Sequence, residues 1–280
     1  MIERMLLNHC KLGSSLVLSA ILGLTTLTAS QAAPTNKTFL DWCSTKNTLS
    51  PAARNTVDQI LSDLETQDCQ QASSQLARTF ALNLSNQNIS DLTPLASLTN
   101  LRQLNLYNNQ IKDLTPLSSL TNLNQLIVGN NQITDLKPLS NLTQLTRLFA
   151  FNNRIKDLTP LSSLNNLTLL YLGRNQISDL RPISTLTNLT DLNLANNQIS
   201  DLTPLSPLNN LVQLNLERNQ ITNLTALSSL KNVTTLTLTN NNIRNVAPLY
   251  EMPKLSKIYL RNNPVAQQFC PNNDDALCFI

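Results

Sequence analysis

Histidine is almost missing from this chain: the single copy, His9, stands within the first thirty of 280 residues. If that leading segment is removed on export, nothing remains for a Ser-His or Cys-His catalytic pair or a His-ligated metal site. Glycine is scarce as well, with four copies, of which only Gly129 and Gly173 lie beyond the leading segment. That excludes the Gly-rich loops that cradle phosphates, and with them nucleotide-dependent chemistry. Charge is sparse and balanced, 20 Lys plus Arg against 17 Asp plus Glu, with the basic residues scattered. The electrostatic footprint of nucleic-acid binding is lacking. No stretch after the leading segment is apolar enough to span a bilayer, and the carboxyl end carries neither a hydrophobic tail nor a wall-sorting pattern.

The leading segment holds Arg4 and Lys11, an apolar run from Leu16 to Leu24, and Ser30 and Ala32 at small-x-small spacing. We read residues 1–32 as a secretory signal peptide. The alternative is an uncleaved membrane anchor, for which the run is short. The expected location is outside the cytoplasm, periplasmic or extracellular. Of five cysteines, Cys10 leaves with the signal, and Cys43, Cys69, Cys270 and Cys278 remain as an even set.

Laid on a 22-residue period, Leu104, Leu126, Leu148, Leu170, Leu192, Leu214 and Leu236 form one column, with Leu82 before and Ile258 after. A unit reads Leu101-Arg-Gln-Leu-Asn-Leu-Tyr-Asn-Asn-Gln-Ile-Lys-Asp-Leu-Thr-Pro-Leu-Ser-Ser-Leu-Thr-Asn122, within the leucine-rich-repeat pattern L-x-x-L-x-L-x-x-N-x-L. Alternation around Leu104 and Leu106 has the period of a strand, so successive strands stack in parallel with the leucines inward. An Asn column follows each strand: Asn109, Asn131, Asn153, Asn175, Asn197, Asn219, Asn241 and Asn263, with Gln87 in the first unit. An Asn amide both donates and accepts at a bend where backbone groups lose sheet partners, so we assign the column a structural role.

The return limbs carry Thr93-Pro94, Thr115-Pro116, Thr159-Pro160 and Thr203-Pro204, where Thr is expected to cap and Pro to open a short helical or 3₁₀ turn. Lys137, Arg181 and Ala247 cannot cap that way, so looser turns are expected there. Strands on one side and bulkier turns on the other predict an α/β right-handed solenoid, a horseshoe with a parallel concave sheet. Before the repeats, Ser50-Pro51 opens a helix with Val57, Ile60, Leu61 and Leu64 at helical spacing, and Asp68 caps a second running toward Leu76. The expected layout is a signal at 1–32, a helical cap at 33–78, repeats at 79–263 and a disulfide cap at 264–280. Two cysteines precede the repeats and two follow, at opposite ends of an elongated body. Of three possible pairings, only Cys43 with Cys69 and Cys270 with Cys278 bring Cα atoms within about 7 Å; four unpaired thiols would suit only a cytosolic chain.

The I-x-D-L-x-P-L segment, as in Ile111-Lys-Asp-Leu-Thr-Pro-Leu117, resembles the internalin and protein-phosphatase-regulator type of leucine-rich repeat. The flanks, Asp41-Trp-Cys43 with Leu49-Ser-Pro51 and Asn263-Pro264 with Cys270-Pro271 and Cys278, are similar to exported bacterial, particularly cyanobacterial, members. The resemblance implies a protein that binds other proteins through the concave sheet. The internalin wall anchor is not found in the sequence, which speaks against host-surface adhesion.

Stacked carboxylates at Asp91, Asp113, Asp135, Asp157, Asp179 and Asp201 are the one pattern that suits calcium or acid–base work. Each sits just before a helical turn, where its charge meets free backbone amides, and the column lapses to Asn223 and Asn245. We therefore expect no metal, no cofactor and no catalysis. Sequons such as Asn141-Leu-Thr143 and Asn188-Leu-Thr190 arise from the repeat itself and are weak evidence for glycosylation.

Ligand information must lie in the residues that alternate with the leucines and face solvent. The column of Asn105 continues as Ile127, Phe149, Tyr171, Asn193 and Asn215; that of Tyr107 as Gly129, Phe151, Gly173, Ala195 and Glu217. Large apolar residues cluster on strands two to five, joined by Leu169, with Arg147 and Arg174 nearby, the composition of a binding hot spot. Tyr107, Ile127, Arg147, Phe149, Phe151, Leu169, Tyr171 and Arg174 are the candidate partner-binding residues. Gly129 and Gly173 are expected to leave the Phe151 ring exposed on both sides, a notch; Ala150 leaves room for Phe149 or Phe151 to tilt inward instead, and cross-strand stacking would then serve the sheet alone. Thr235, Thr237 and Thr239 make a flat polar surface further on, with Lys257, Tyr259 and Arg261 beyond. The expected function is a monomeric, non-catalytic recognition module for a protein ligand. The alternative is an envelope or matrix component that binds glycan or copies of itself.

Overall fold

A computed structural model describes residues 37–265 and the backbone of 277–279. The signal segment 1–32 and Cys270 lie outside the described residues, and with Cys270 the expected Cys270–Cys278 bond.

Among the described residues three short α-helices precede the sheet: α1 (Phe39–Ser44), α2 (Pro51–Asp63) and α3 (Cys69–Leu76). Each begins on a side chain that supplies an acceptor to the orphan amides of the first turn. Thr38 and Asp41 form a reciprocal capping box on α1. Ser50 accepts from the Ala53 N–H at 3.2 Å with Pro51 in the first turn of α2, and Asp68 accepts from the Gln71 N–H at 2.8 Å on α3. Disulfide Cys43–Cys69 ties α1 to α3, with Cα atoms 5.6 Å apart. The first helix and its Thr38 cap are not legible in the sequence reading, which spans the cap over 33–78 but places its first helix at Ser50-Pro51. Helix α2 docks on the first repeat through buried Thr56, whose hydroxyl donates to the Asp91 carbonyl at 2.6 Å, and through Asn55, whose amide donates to the Gln87 carbonyl at 3.0 Å.

Ten parallel strands of three residues follow in sequence order: β1 (Ala81–Asn83), β2 (Gln103–Asn105), β3 (Gln125–Ile127), β4 (Arg147–Phe149), β5 (Leu169–Tyr171), β6 (Asp191–Asn193), β7 (Gln213–Asn215), β8 (Thr235–Thr237), β9 (Lys257–Tyr259) and β10 (Leu277–Phe279). The register is constant at 22 residues from β1 to β9, pairing Leu82 with Leu104, Leu104 with Leu126 and so on to Leu236 with Ile258. Strand β10 was not foreseen; its backbone sets Cys278 opposite Ile258 and extends the sheet by one strand. The leucine column is buried throughout. Each such side chain removed from water contributes about 2 kcal/mol, more than a three-residue strand gains alone, so stacking is obligatory.

Each return limb forms a 3₁₀ turn, as at Thr93–Leu95, Lys137–Leu139, Arg181–Ile183 and Ala247–Glu251. Two expectations are corrected. Threonine does not cap: it is the first turn residue, the preceding position is Leu92, Leu114, Leu158 or Leu202, and none supplies a side-chain bond. Nor are the turns at Lys137, Arg181 and Ala247 looser. The acceptor is the Asp or Asn two residues upstream: Asp91 takes the Thr93 N–H at 2.9 Å, Asp135 the Lys137 N–H at 2.7 Å, Asp179 the Arg181 N–H at 2.9 Å and Asn245 the Ala247 N–H at 2.9 Å. Because the anchored donor is a backbone amide, the side chain on it is free to vary.

Candidate partner-binding face

The Asn column closes every bend. Asn109 accepts from the amides of Gln87 at 3.1 Å and Ile89 at 2.9 Å, and donates to the carbonyls of Leu84 at 2.8 Å and Leu106 at 3.0 Å. Asn153, Asn175, Asn219 and Asn241 are equally buried and repeat the donor pattern. The residue before each ladder Asn holds φ between 52° and 58°, the left-handed region: Asn108, Asn130, Asn152, Arg174, Asn196, Arg218, Asn240 and Asn262. Asn tolerates that region better than other residues with a Cβ. Here the asparagines also bond along the stack, Asn108 to Asn86 at 2.7 Å and Asn262 to Asn240 at 2.8 Å. Arg174 and Arg218 interrupt this row.

Further rows escaped the sequence reading. Asn122, Asn166, Asn188, Asn210 and Asn232 each donate to the carbonyl 23 residues upstream at 2.8 to 2.9 Å. Thr146, Thr168, Thr190 and Thr234 donate hydroxyls to the carbonyl 22 residues upstream. These rows account for the recurrent sequons at Asn166, Asn188 and Asn232, whose amides are spent on the frame. In the same column Asn124 precedes the hydroxyl residues, its side-chain oxygen buried without a partner.

On the solvent side of β2 to β5 the frame brings together most of the expected patch. Ile127 pairs with Phe149 and Phe149 with Tyr171 across the strands, and Arg147 lies between Gln125 and Leu169. The rings of Phe149 and Tyr171 meet edge to face at 5.2 Å, and those of Tyr107 and Phe151 meet tilted at 5.8 Å. Tyr107 is 36% exposed, Arg147 and Arg174 are exposed, and Ile127, Phe149, Phe151, Leu169 and Tyr171 are half-buried. Ala150 is buried while both phenylalanines stay on the solvent side, so neither tilts into the core. Arg147 and Arg174 stand clear of the rings; among the described residues the cation–π contacts are Arg102 on Phe80 and Lys37 on Trp42.

The notch is corrected. A Cβ on Gly129 would lie 2.7 Å from the Phe151 ring, so that ring leans across Gly129 toward Tyr107 and fills the space. On the other side a Cβ on Gly173 would lie 3.1 Å from the Asn193 side-chain oxygen. The result is a continuous aromatic ridge, Tyr107–Phe151 beside Phe149–Tyr171. Burial first, and the Asp191 carboxylate second, hold the Tyr171 phenol above its ordinary range, so it is a protonated donor at neutral pH.

Clefts flank the ridge. One of about 360 Å³ is lined by Asp63, Asn83, Gln103, Asn105, Gln125 and Ile127 among others; another of about 140 Å³ by Tyr171, Asp191, Asn193, Gln213, Asn215, Thr235 and Thr237. Asp63 was missed because nothing in its helix pattern says that the end of α2 overhangs the first strands. Phe80, 52% exposed at the sheet's first edge, was missed as well, because it leads a column that continues as Arg102 and Asn124 with no apolar pattern. Among the described residues no group of three or more His, Cys, Asp or Glu side chains is placed to hold a metal ion, and no helix is long and apolar enough to cross a membrane.

A parallel stack with a frame of side-chain ladders and a variable solvent face defines a repeat scaffold. The family model for leucine-rich repeats, two copies at a time, matches residues 81–119, 99–141, 121–163, 143–186, 165–207 and 187–229, more than half of the chain. The chain belongs to the leucine-rich-repeat family. Its fold is similar to internalin C2 of Listeria monocytogenes, with TM-score 0.71 and 32% identity over 77% of this chain and 96% of that one. It is also similar to internalin F of Listeria monocytogenes, with TM-score 0.60 and 37% identity over 69% of this chain and 63% of that one. A plant peptide hormone receptor, RGFR1 in complex with RGF2, shares the fold at TM-score 0.59 and 20% identity, over 65% of this chain and 32% of the receptor. No curated protein matches the sequence.

Proposed function

We propose that the chain is an exported, non-catalytic, monomeric recognition module that holds a protein partner on the solvent face of β2 to β5. The observation that carries this is the aromatic ridge: four rings paired at 5.2 and 5.8 Å on a rigid sheet, rimmed by exposed Arg147 and Arg174. Aromatic and arginine side chains dominate binding energy, and a sheet that already orders them loses little entropy on association. The contact set is Tyr107, Ile127, Arg147, Phe149, Phe151, Leu169, Tyr171 and Arg174. The complex of RGFR1 with RGF2 supports use of this fold for partner capture. Export rests on the leading segment and on the Cys43–Cys69 bond, which persists in oxidising compartments. We place the boundaries at 32, 78 and 263, between signal, helical cap, repeats and carboxyl-terminal cap.

The test compares partner capture by wild type and by a Phe149→Ala, Phe151→Ala, Tyr171→Ala variant whose folding is checked by its thermal transition. A loss of about tenfold or more is expected from removing three such anchors; unchanged capture by the folded variant refutes the assignment. A second reading, an envelope or matrix component that binds glycan or self-associates, draws on the polar lining of the 140 Å³ cleft. Saturable glycan-array binding that survives Phe149→Ala with Phe151→Ala, both outside that cleft's lining, would favour it.

A further inference from the structure

We propose that the 360 Å³ cleft at the amino-terminal end of the sheet is a receptor for a guanidinium group, an arginine side chain carried by the protein partner. The inference rests on the reading that a protein occupies the adjoining ridge, since Ile127 belongs to both surfaces. Among the residues lining the cleft Asp63 is the single charged one. It is the last residue of α2, a helix with no basic residue in its final turn. A carboxylate there adds to the partial negative charge of the free helix carbonyls, an unfavourable arrangement for the protein alone and a favourable one for a bound cation.

Nothing within the described protein offsets that charge. The described ion pairs are Lys46–Asp58, Arg181–Asp179, Arg218–Glu217 and Lys231–Glu251, none of which involves Asp63. Partial burial without compensating bonds raises its carboxyl above the ordinary value. Beneath it, Asn83, Gln103, Asn105 and Gln125 line the same cleft from three adjacent strands. The side-chain oxygens of Asn83 and Asn105 are used by the amides of Ser85 and Tyr107, whereas Gln103 and Gln125 make no side-chain hydrogen bond among the described residues. One carboxylate and two uncommitted amide oxygens suit a planar cation with several fixed donors, which an ammonium point charge matches less well.

The probe is N-acetyl-arginine amide, with N-acetyl-citrulline amide as the neutral near-isostere, added to the full chain while the Asp63 carboxyl is titrated by carbon NMR. Arginine amide is expected to move the Asp63 titration to lower pH and to shift the Gln103 and Gln125 side-chain amides; citrulline amide does neither. Asp63→Asn, at an exposed helix end, keeps the fold and abolishes the arginine-dependent amide shifts. A titration no different from that in equimolar sodium chloride, equal effects of citrulline amide, or amide shifts that survive in Asp63→Asn would overturn the proposal. A Phe149→Ala, Phe151→Ala variant separates the two readings: it keeps the arginine response even where protein capture is lost. An arginine response in a chain whose capture ignores the ridge residues supports the cleft and sinks the ridge alone.

Discussion

At the scale of single residues, the repeat works because polar side chains replace the ladder bonds that three-residue strands cannot make. The buried Asn column was legible, since an invariant amide after each strand has one physical use. The left-handed backbone beside it was not: Asn recurs there every 22 residues except at Arg174 and Arg218, but an exposed Asn column has several physical uses, and the φ values reveal that the two arginines occupy positions suited to Asn. Arg174→Asn is therefore expected to stabilise the chain by about 0.5 kcal/mol through relief of left-handed strain, while weakening partner capture. Denaturant midpoints and binding measured on the same preparation check the pair of effects. Asn124 offers a cleaner case, because its buried oxygen lacks a partner at the head of a row of hydroxyl donors. Asn124→Thr should raise stability by about 1 kcal/mol, read as a higher urea midpoint at unchanged slope.

The elements were read well where their cause is periodic and poorly where it is a local bond. Hydrophobic spacing located α2 and α3, and the Asp column meets the turn amides as its position before each turn implied; the capping role expected of Thr failed, because the Asp oxygen already takes the amide that a cap would serve. The carboxylates that hold the turns give a pH signature. Hydrogen bonds from Thr159, Arg181 and Thr203 hold Asp157, Asp179 and Asp201 below the ordinary carboxylate range. A depressed folded pKa contributes stability that is present above the unfolded value of about 4 and lost as pH falls through the lowered values. All three lie near the surface, so each contributes little. A triple Asp→Asn variant, which keeps the acceptor oxygen as Asn223 and Asn245 do natively, should flatten the loss of stability below about pH 4; an unaltered acid limb in thermal scans would count against this role. At the cap, the Cys43–Cys69 bond closes a separation of 26 residues. Its removal as Cys43→Ser with Cys69→Ser should cost about 3 kcal/mol and expose the first repeat, with early hydrogen exchange at β1 as the sign that the cap, not the distant repeats, has loosened.

For the whole described molecule, each repeat contacts its neighbours in one register, and the frame is indifferent to what the solvent side of the sheet carries. That separation made the fold readable from the period alone while leaving the site half readable. Strand alternation placed Phe149, Tyr171 and Ile127 on one surface and the period set Phe151 beside Gly129, but the direction in which the Phe151 ring leans is a matter of side-chain conformation, and the overhang of Asp63 belongs to a helix outside the period. The central claim, that a protein meets the sheet at β2 to β5, is tested most directly by photo-crosslinking from single sites in the full chain. A crosslinker in place of Tyr107, Phe149 or Tyr171 is compared with one in place of exposed Lys112, Lys156 or Ser200 on the return limbs. The account predicts that one discrete partner is captured from the three sheet positions and from none of the three limb positions; capture from the limbs, with the sheet positions silent, would contradict it.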